Sequence, residues 1–289
     1  MIEVLDPGAL TTVQDLGRPG WAHLGVPRSG AADTRSLRLA NRLVANPDGA
    51  AALETTLVGP RLRLTADAMV AITGATVDAR AGDRTVPMNA PVYLRAGAVL
   101  EIGAATAGLR TYVAVRGGLA CDRTLGSAST DLLTGLGPRP LRAGDELAVD
   151  RAPDTFPAVD VAPAAPPEDA PCLGIVFGPR ADWFTDEARR RLTGGGYEVS
   201  DTSNRVGIRL LGPELPRDGE DELPSEGMIA GALQVPPSGT PILLLADHPT
   251  TGGYPVIAVV RRRDLPAAGQ LRPGQRVRFR ASRDPVRGA

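Results

Sequence analysis

Residues 94–102 read LRAGAVLEI, residues 141–149 read LRAGDELAV, and residues 271–279 read LRPGQRVRF. Each copy sets Leu-Arg-x-Gly ahead of a segment in which apolar and other residues alternate. A glycine that turns the chain, followed by a period of two, is the pattern of a half-buried β-strand. The second copy closes a first lobe and the third closes another, which suggests an internal duplication. The pairing of LVGPRL around Gly59 with LLGPEL around Gly212 points the same way. Common β-turn chemistry alone generates the same pattern, so both origins stay open.

Working outward, short apolar runs at 62–64, 69–72, 92–94, 99–102 and 112–115 are separated by Gly, Pro and Asp turns. That spacing predicts a mainly β chain of barrels or sandwiches. Two short helices are expected. One spans 32–44, where Leu37, Ala40, Leu43 and Val44 share a face and Asp33 sits near the start; the other spans 183–192 and ends at Gly194-Gly195-Gly196. Residues 151–171, RAPDTFPAVDVAPAAPPEDAP, lack an apolar period and read as a semi-rigid linker. The expected division is a lobe over 1–150, the linker over 151–171 and a lobe over 172–289.

Composition removes several chemistries. The chain has 289 residues, 43% of them apolar, and only 3% aromatic, so aliphatic side chains must build the core. All 32 basic residues are arginine. Without lysine there is no Schiff base, no biotin carried on this chain and no phosphate-binding loop ending in Lys-Ser/Thr. A net charge of −1 with no basic block argues against nucleic acid, and the run Arg261-Arg262-Arg263 reads as a solvated strand end. Cys121, Cys172, His23 and His248 have no metal-ligand spacing, so no metal site is expected, although a Mg²⁺ accompanying a nucleotide stays open. No apolar stretch approaches the roughly 20 residues of a membrane helix, and MIEVLDPG does not open like a signal peptide. A cytoplasmic location is expected.

Four polar clusters compete for a site. Residues 225–257, SEGMIAGALQVPPSGTPILLLADHPTTGGYPVI, carry Glu226, Gln234, Asp247, His248, Thr250, Thr251, Gly252, Gly253 and Tyr254 around one apolar run. A buried strand entering a polar, glycine-rich turn is how a rigid scaffold presents chemistry; a plain hairpin loop has the same composition. Asp247 beside His248 can orient an imidazole only if the chain turns there, because strand neighbours face opposite ways. Residues 12–33 carry Gln14, Asp15, Arg18, His23, Ser29 and Asp33 and lead into the first helix, as an anion-receiving loop or as a covering loop with a cap. Residues 116–131 contain Ser127, Ser129 and Thr130 in a turn resembling a phosphate cradle, with turn-capping as the alternative. Asn204-Arg205 precedes the strand at 208–211, where an arginine grips a carboxylate in a fork or forms a surface ion pair. There is no G-x-S-x-G elbow, which disfavours a serine hydrolase.

The runs QDLGR at 14–18, GVPRSGAAD, LETTLVGP, RGGL, GSASTD, SNRVG, SEGMIAGALQVPPSG and ADHPTTGGYP together resemble the family of the 5-oxoprolinase C subunit, also called allophanate hydrolase subunit 2, KipA-like or biotin-dependent carboxyltransferase-like proteins. The resemblance covers nearly the whole chain in order. It implies two cyclophilin-like β-barrel lobes and two partners, a KipI-like B subunit and an A subunit. The implied activity is ATP-dependent opening of 5-oxoproline to glutamate by the complex, with the isolated chain inactive and ATP shared with or bound by the partners. Such chemistry needs a cation for the substrate carboxylate, donors for the developing oxyanion and a base for water. Under this reading Arg205 is the cation; Thr250, Thr251 and the Gly252 and Gly253 amides are the donors; and Asp247 or Glu226 is the base. Gln14, Asp15, Arg18, Asn204, Gln234 and Tyr254 complete the expected substrate-binding set. The same resemblance leaves two alternatives: carboxyl transfer from carboxybiotin carried on another chain, as in urea carboxylase, and a non-enzymatic regulator that sequesters a KipI-like partner.

Overall fold

The three Leu-Arg-x-Gly copies are one turn used three times. In the computed structural model, which describes residues 1–219 and 223–281, Ala98 N donates to Arg95 O, Asp145 N to Arg142 O and Gln275 N to Arg272 O, all at 3.0–3.1 Å. The third residue of each turn, Gly97, Gly144 or Gly274, has φ of +84°, +87° or +78°. That value is cheap for glycine and strained for residues with a Cβ. Each of these glycines then donates its N–H to a neighbouring strand, at Leu64 O, Val4 O and Val199 O respectively. The shared motif therefore sets the register at which the following strand starts.

Strand exceeds helix by 36% to 12%, so the protein is mainly β. It divides into two units, Met1–Arg18 with Ser29–Pro167, and Pro19–Arg28 with Glu168–Ala289. This differs from the sequence reading in two ways. Residues 19–28 group with the second unit, and most of the expected linker groups with the first. The final residues of the expected second lobe, 282–289, and residues 220–222 lie outside the described residues.

In the first unit the strands are β1 (Ile2–Asp6), β2 (Thr11–Gln14), β3 (Ala52–Thr56), β4 (Arg61–Leu64), β5 (Ala68–Ala81), β6 (Arg84–Thr85), β7 (Val92–Leu94), β8 (Val99–Val115), β9 (Leu119–Ala120) and β10 (Glu146–Val149). They form one ten-stranded, half-barrel sheet around the long β5–β8 pair. Both faces of its centre are covered. Leu53, Val70, Ile72, Val113 and Val115 enter one core, whereas their neighbours Ala52, Ala71, Tyr112 and Ala114 pack with helix α1 (Thr34–Leu43). Adjacent strand residues point to opposite faces, so a doubly covered strand reads as a continuous apolar run. Asp33 caps α1, accepting from Ser36 N at 2.9 Å and Ser36 Oγ at 2.6 Å.

The second unit contains β11 (Cys172–Phe177), β12 (Gly196–Val199), β13 (Gly207–Leu211), β14 (Glu226–Gly227), β15 (Ala232–Gln234), β16 (Ile242–Leu244), β17 (Thr251–Gly252), β18 (Val256–Val260) and β19 (Arg276–Ala281). Seven of these close a barrel in the order β11-β18-β15-β16-β13-β12-β19, with β19 returning parallel to β11. Leu173, Ile175, Leu210, Leu233, Leu243, Ile257 and Phe279 fill it. Helix α2 (Asp186–Gly194), capped by Thr185, packs on β19, and α3 (Leu265–Ala268) precedes the third turn copy. The expected helix at 183–192 thus begins a little later, because a 3-10 turn occupies Ala181–Trp183. A separate two-stranded ribbon pairs β14 with β17 and carries Glu226, Gly227, Thr251 and Gly252, whereas the rest of the strand residues of the 225–257 stretch lie in the barrel strands β15, β16 and β18. Among the described residues no helix is long and apolar enough to cross a membrane.

Candidate functional site

In the first unit the fold brings together two sequence clusters more than a hundred residues apart. β2 ends at Gln14, and Asp15 follows it into the loop. The Asp15 carboxylate accepts from Ser127 Oγ at 2.6 Å, Ser129 Oγ at 2.5 Å, Ala128 N at 2.8 Å and Gly17 N at 2.8 Å, with Arg123 Nη1 at 3.4 Å. The 127–130 turn does cradle an anion, and that anion is the protein's own carboxylate. Of the two readings left open for this turn, turn-capping is the one found, with the acceptor supplied from a distant loop.

Gln14 and Arg18 fasten to the same turn. Gln14 Nε2 donates to Thr130 O at 3.0 Å and to Thr12 Oγ1 at 3.1 Å. Arg18 Nη2 donates to Ser129 O, and its Nε to Thr124 O at 3.3 Å. Ser29 Oγ also donates to Thr130 O, at 3.0 Å. The two other candidates from this stretch do different work. Asp33 is the cap of α1, and His23 stacks on Trp21 in an exposed 3-10 turn.

Sequence reading passed over a buried network below α1. Glu54 Oε2 accepts from Tyr112 OH at 2.7 Å and Ala32 N at 2.9 Å, Tyr112 OH accepts from Asp33 N at 2.7 Å, and Arg110 pairs with Glu54 at 3.4 Å. Burial, then the nearby Glu54 charge, holds the Tyr112 phenol well above its ordinary pKa. The available signal was a glutamate directly after the apolar run 50–53.

In the second unit, Arg205 and Asp247 meet as a fork at 2.9 Å on both sides, Nε to Oδ2 and Nη2 to Oδ1. Their side chains are 2% and 0% exposed. The pair continues the β13–β16 ladder, because Leu245 N donates to Val206 O and Asp247 N to Arg205 O. The separate roles expected for these residues, a cation for substrate and a base for water, give way to a joint one. Both carboxylate oxygens of Asp247 are engaged by one buried guanidinium, a geometry that positions two strands rather than a water. Asn204 makes a local turn, its Oδ1 accepting from Val206 N at 2.8 Å. His248 Nδ1 donates to Pro249 O at 2.8 Å, so that ring nitrogen carries the proton.

Glu226, the other base candidate, receives Arg180 at the foot of the ribbon, with Nε at 2.9 Å. The Arg180 hydrogen bond, aided by its charge, holds the Glu226 carboxyl below the usual carboxylate range. The ribbon pairs Glu226 with Gly252 and Gly227 with Thr251. Gln234 supports it from the barrel, donating to Tyr254 O at 3.1 Å. A Cβ on Gly252 would lie 2.6 Å from Gln234 Nε2, so a larger residue there would have to displace the glutamine amide from Tyr254 O. Thr251, Gly253 and Tyr254 are exposed, and Gly253 and Tyr254 line a cavity of about 670 Å³ with Arg191, Arg217, Pro236 and Pro237. Arg205, Asp247 and Glu226 do not line it. Among the described residues, no group of three or more His, Cys, Asp or Glu side chains is arranged to hold a metal ion.

A family model described as carboxyltransferase domain, subdomain A and B, matches residues 24–281. The chain belongs to that family. It is 36% identical to the C subunit of 5-oxoprolinase from Escherichia coli (strain K12), over 96% of this chain and 90% of that protein. It is 33% identical to the urea amidolyase of Lachancea kluyveri over 96% of this chain, but spans only 17% of that much longer polypeptide. The crystal structure of the K. lactis urea amidolyase superposes with a TM-score of 0.90 at 33% identity, covering 96% of this chain and 18% of that one. The fold is therefore used both as a protein of about this length and as one part of larger enzymes.

Proposed function

We propose that this chain is the C-type component of a multi-subunit, ATP-dependent 5-oxoprolinase that opens 5-oxo-L-proline to L-glutamate. The observation carrying this reading is the end-to-end match to a protein named as such a component, against a match to only a small part of urea amidolyase. The balanced reaction takes 5-oxoproline, ATP and two waters to glutamate, ADP and phosphate. Phosphoryl transfer to the lactam oxygen makes the carbonyl carbon a better target for the first water. The C–N bond then breaks to release the amine and leave an acyl phosphate, and the second water adds to that carbonyl through an oxyanion and displaces phosphate. This chain contributes binding and orientation: Thr250, Thr251 and the Gly252 and Gly253 amides offer donors to the developing oxyanion, on a ribbon held by Arg180–Glu226 and Gln234. With no lysine in the chain, the triphosphate is bound by the A subunit or by the KipI-like B subunit, with any Mg²⁺ accompanying it there.

Carboxyl transfer is the second reading, favoured by the description of the matching family and by the urea amidolyase relatives. Carboxybiotin would then arrive on another chain, since this one has no lysine to carry it. The test is glutamate release from 5-oxoproline and ATP by this chain with its A and B partners, each omitted in turn. Activity that needs all three supports the oxoprolinase reading. A stable complex with no glutamate release, but with carboxyl transfer from free carboxybiotin, moves the assignment to the second; neither activity leaves a binding role.

A further inference from the structure

The cavity of about 670 Å³ is built entirely from residues of the second unit. It adjoins the ribbon, because Gly253 and Tyr254 follow β17 directly and line it. Its volume is within the range of small-molecule sites, about 300–1,000 Å³. The walls are fixed by the chain itself. Pro216, Pro236 and Pro237 line it, and each proline ring holds its own φ. The turn at 236–239 closes with Gly239 N on Pro236 O at 2.9 Å, and Leu215 N ties the facing segment to Gly239 O at 2.8 Å. On the ribbon side, Val235 N donates to Pro255 O at 3.0 Å and Gln234 Nε2 to Tyr254 O at 3.1 Å.

Two kinds of polar group belong to the lining residues. Among the described residues nothing accepts from the Gly253 N–H or the Tyr254 hydroxyl, so both are open to an oxygen brought by a ligand. The charged residues on the wall are Arg191, Glu214 and Arg217. Arg191 is tied to Glu187 at 2.5 Å and to Glu214 O at 3.1 Å. Arg217 is placed by Trp183. Asp218 N donates to Trp183 O at 2.9 Å and Thr185 N to Pro216 O at 3.3 Å, which holds the backbone on both sides of Arg217. Its guanidinium lies 5.9 Å from the indole centroid. Arg180, which grips Glu226 on the ribbon, lies 5.6 Å from the same ring. One indole therefore locates the ribbon and the Arg217 cation together. Stacking uses the face of a guanidinium, whereas its N–H edge is the part that forks a carboxylate.

We propose that this cavity binds a cyclic amide bearing a carboxylate. The ring carbons lie against Pro216, Pro236 and Pro237, the amide oxygen meets the Gly253 N–H and the Tyr254 hydroxyl, and the carboxylate meets Arg217. The inference rests on the oxoprolinase reading, under which the ligand is 5-oxoproline. It sets the whole ligand on the unit whose ribbon meets the carbonyl. The cavity is larger than that ring, which leaves room for the phosphoryl group that the reaction places on the lactam oxygen. Arg217 thus takes the part expected of Arg205, whose fork Asp247 fills.

The test is isothermal titration, without ATP, of the full chain and of its complex with the A and B partners. The probes are 5-oxoproline, 2-pyrrolidinone, which lacks the carboxylate, and proline, which lacks the carbonyl. Each analogue is expected to bind at least about 10-fold more weakly than 5-oxoproline, since each loses a hydrogen-bonded group. Arg217→Gln should bring 5-oxoproline down to the affinity of 2-pyrrolidinone while leaving 2-pyrrolidinone itself within about 2-fold, a split that a merely structural arginine would not give. A Cβ on Gly253 would meet only Leu223 O, at 3.6 Å, so Gly253→Val adds bulk at the wall without displacing backbone and should weaken 5-oxoproline at least about 10-fold. In the wild-type chain, the Gly253 and Tyr254 amide resonances should shift on titration with 5-oxoproline. Analogues within about 2-fold of the parent, an Arg217→Gln chain that binds as wild type or loses both ligands alike, unshifted Gly253 and Tyr254 amides, or no binding to chain or complex each overturn the site. The two readings fail separately: glutamate release with these amides and variants unaffected removes the site alone, and selective binding without turnover removes the oxoprolinase reading alone.

Discussion

Asp247→Asn separates a structural pair from a catalytic base. The wild-type carboxylate is 0% exposed and takes two hydrogen bonds of 2.9 Å from a guanidinium that is 2% exposed. Asparagine keeps the shape, removes the charge and presents an N–H₂ to one arm of the arginine fork. The Arg205 guanidinium loses the carboxylate that meets its Nε and Nη2, and removing one member of a buried ion pair costs about 3–5 kcal/mol. That is a large fraction of the 5–15 kcal/mol that holds a domain folded. For a unit of this size, about 1 kcal/mol moves the melting temperature by roughly 3–5 °C, so the second unit is expected to melt about 10–20 °C lower. Because two units share the chain, the assay should follow the second alone, by hydrogen exchange at barrel amides such as Leu243 and Ile257. Removing both charges with Arg205→Met and Asp247→Leu should recover much of the loss, giving a strong coupling in the double-mutant cycle. An Asp247→Asn chain that melts within about 2 °C of wild type, but has lost activity in the complex, refutes this reasoning and restores the base.

Three further outcomes follow from local geometry. Asp33→Ala removes the cap of α1 and should lower first-unit stability by about 0.5–2 kcal/mol in denaturant unfolding, with no change meaning that the Ser36 bonds contribute nothing. Glu226 has its pKa depressed by Arg180, so its tie is complete at neutral pH and is lost as pH falls through that lowered value; a carbon-detected NMR titration placing Glu226 at or above ordinary glutamates removes the pair from solution. Cys121 is half-buried and its thiol is pushed up, mainly by burial, whereas Cys172 is exposed; near pH 8 a thiol reagent should label Cys172 first, and equal rates would contradict the burial of Cys121.

Much of the fold was legible because its causes are local. The Leu-Arg-x-Gly turns, the Asp33 cap and the apolar alternation each depend on residues within a few positions, and these appear where the sequence places them. The second helix shifted because a 3-10 turn took the residues around Trp183, a choice that local propensity does not decide. Candidate site residues were legible as types and not as roles. Gln14, Asp15 and Arg18 were recognisable as a polar loop, but that Asp15 would be filled by Ser127 and Ser129 while Arg18 would lack an acid was not.

By itself, then, the sequence determined the class of structure, the positions of the turns that start its strands and the chemistries excluded by the absence of lysine. Only the tertiary structure decided which charge meets which: Arg205 with Asp247 across 42 positions, Arg180 with Glu226 across 46, and Glu54 with Tyr112 across 58. The reason is physical. Turns and caps close hydrogen bonds between near neighbours, so residue type and spacing suffice. A charge pair at long separation exists only once sheet register and barrel closure have set two distant strands side by side, and burial then makes that one partner far better than water or any other.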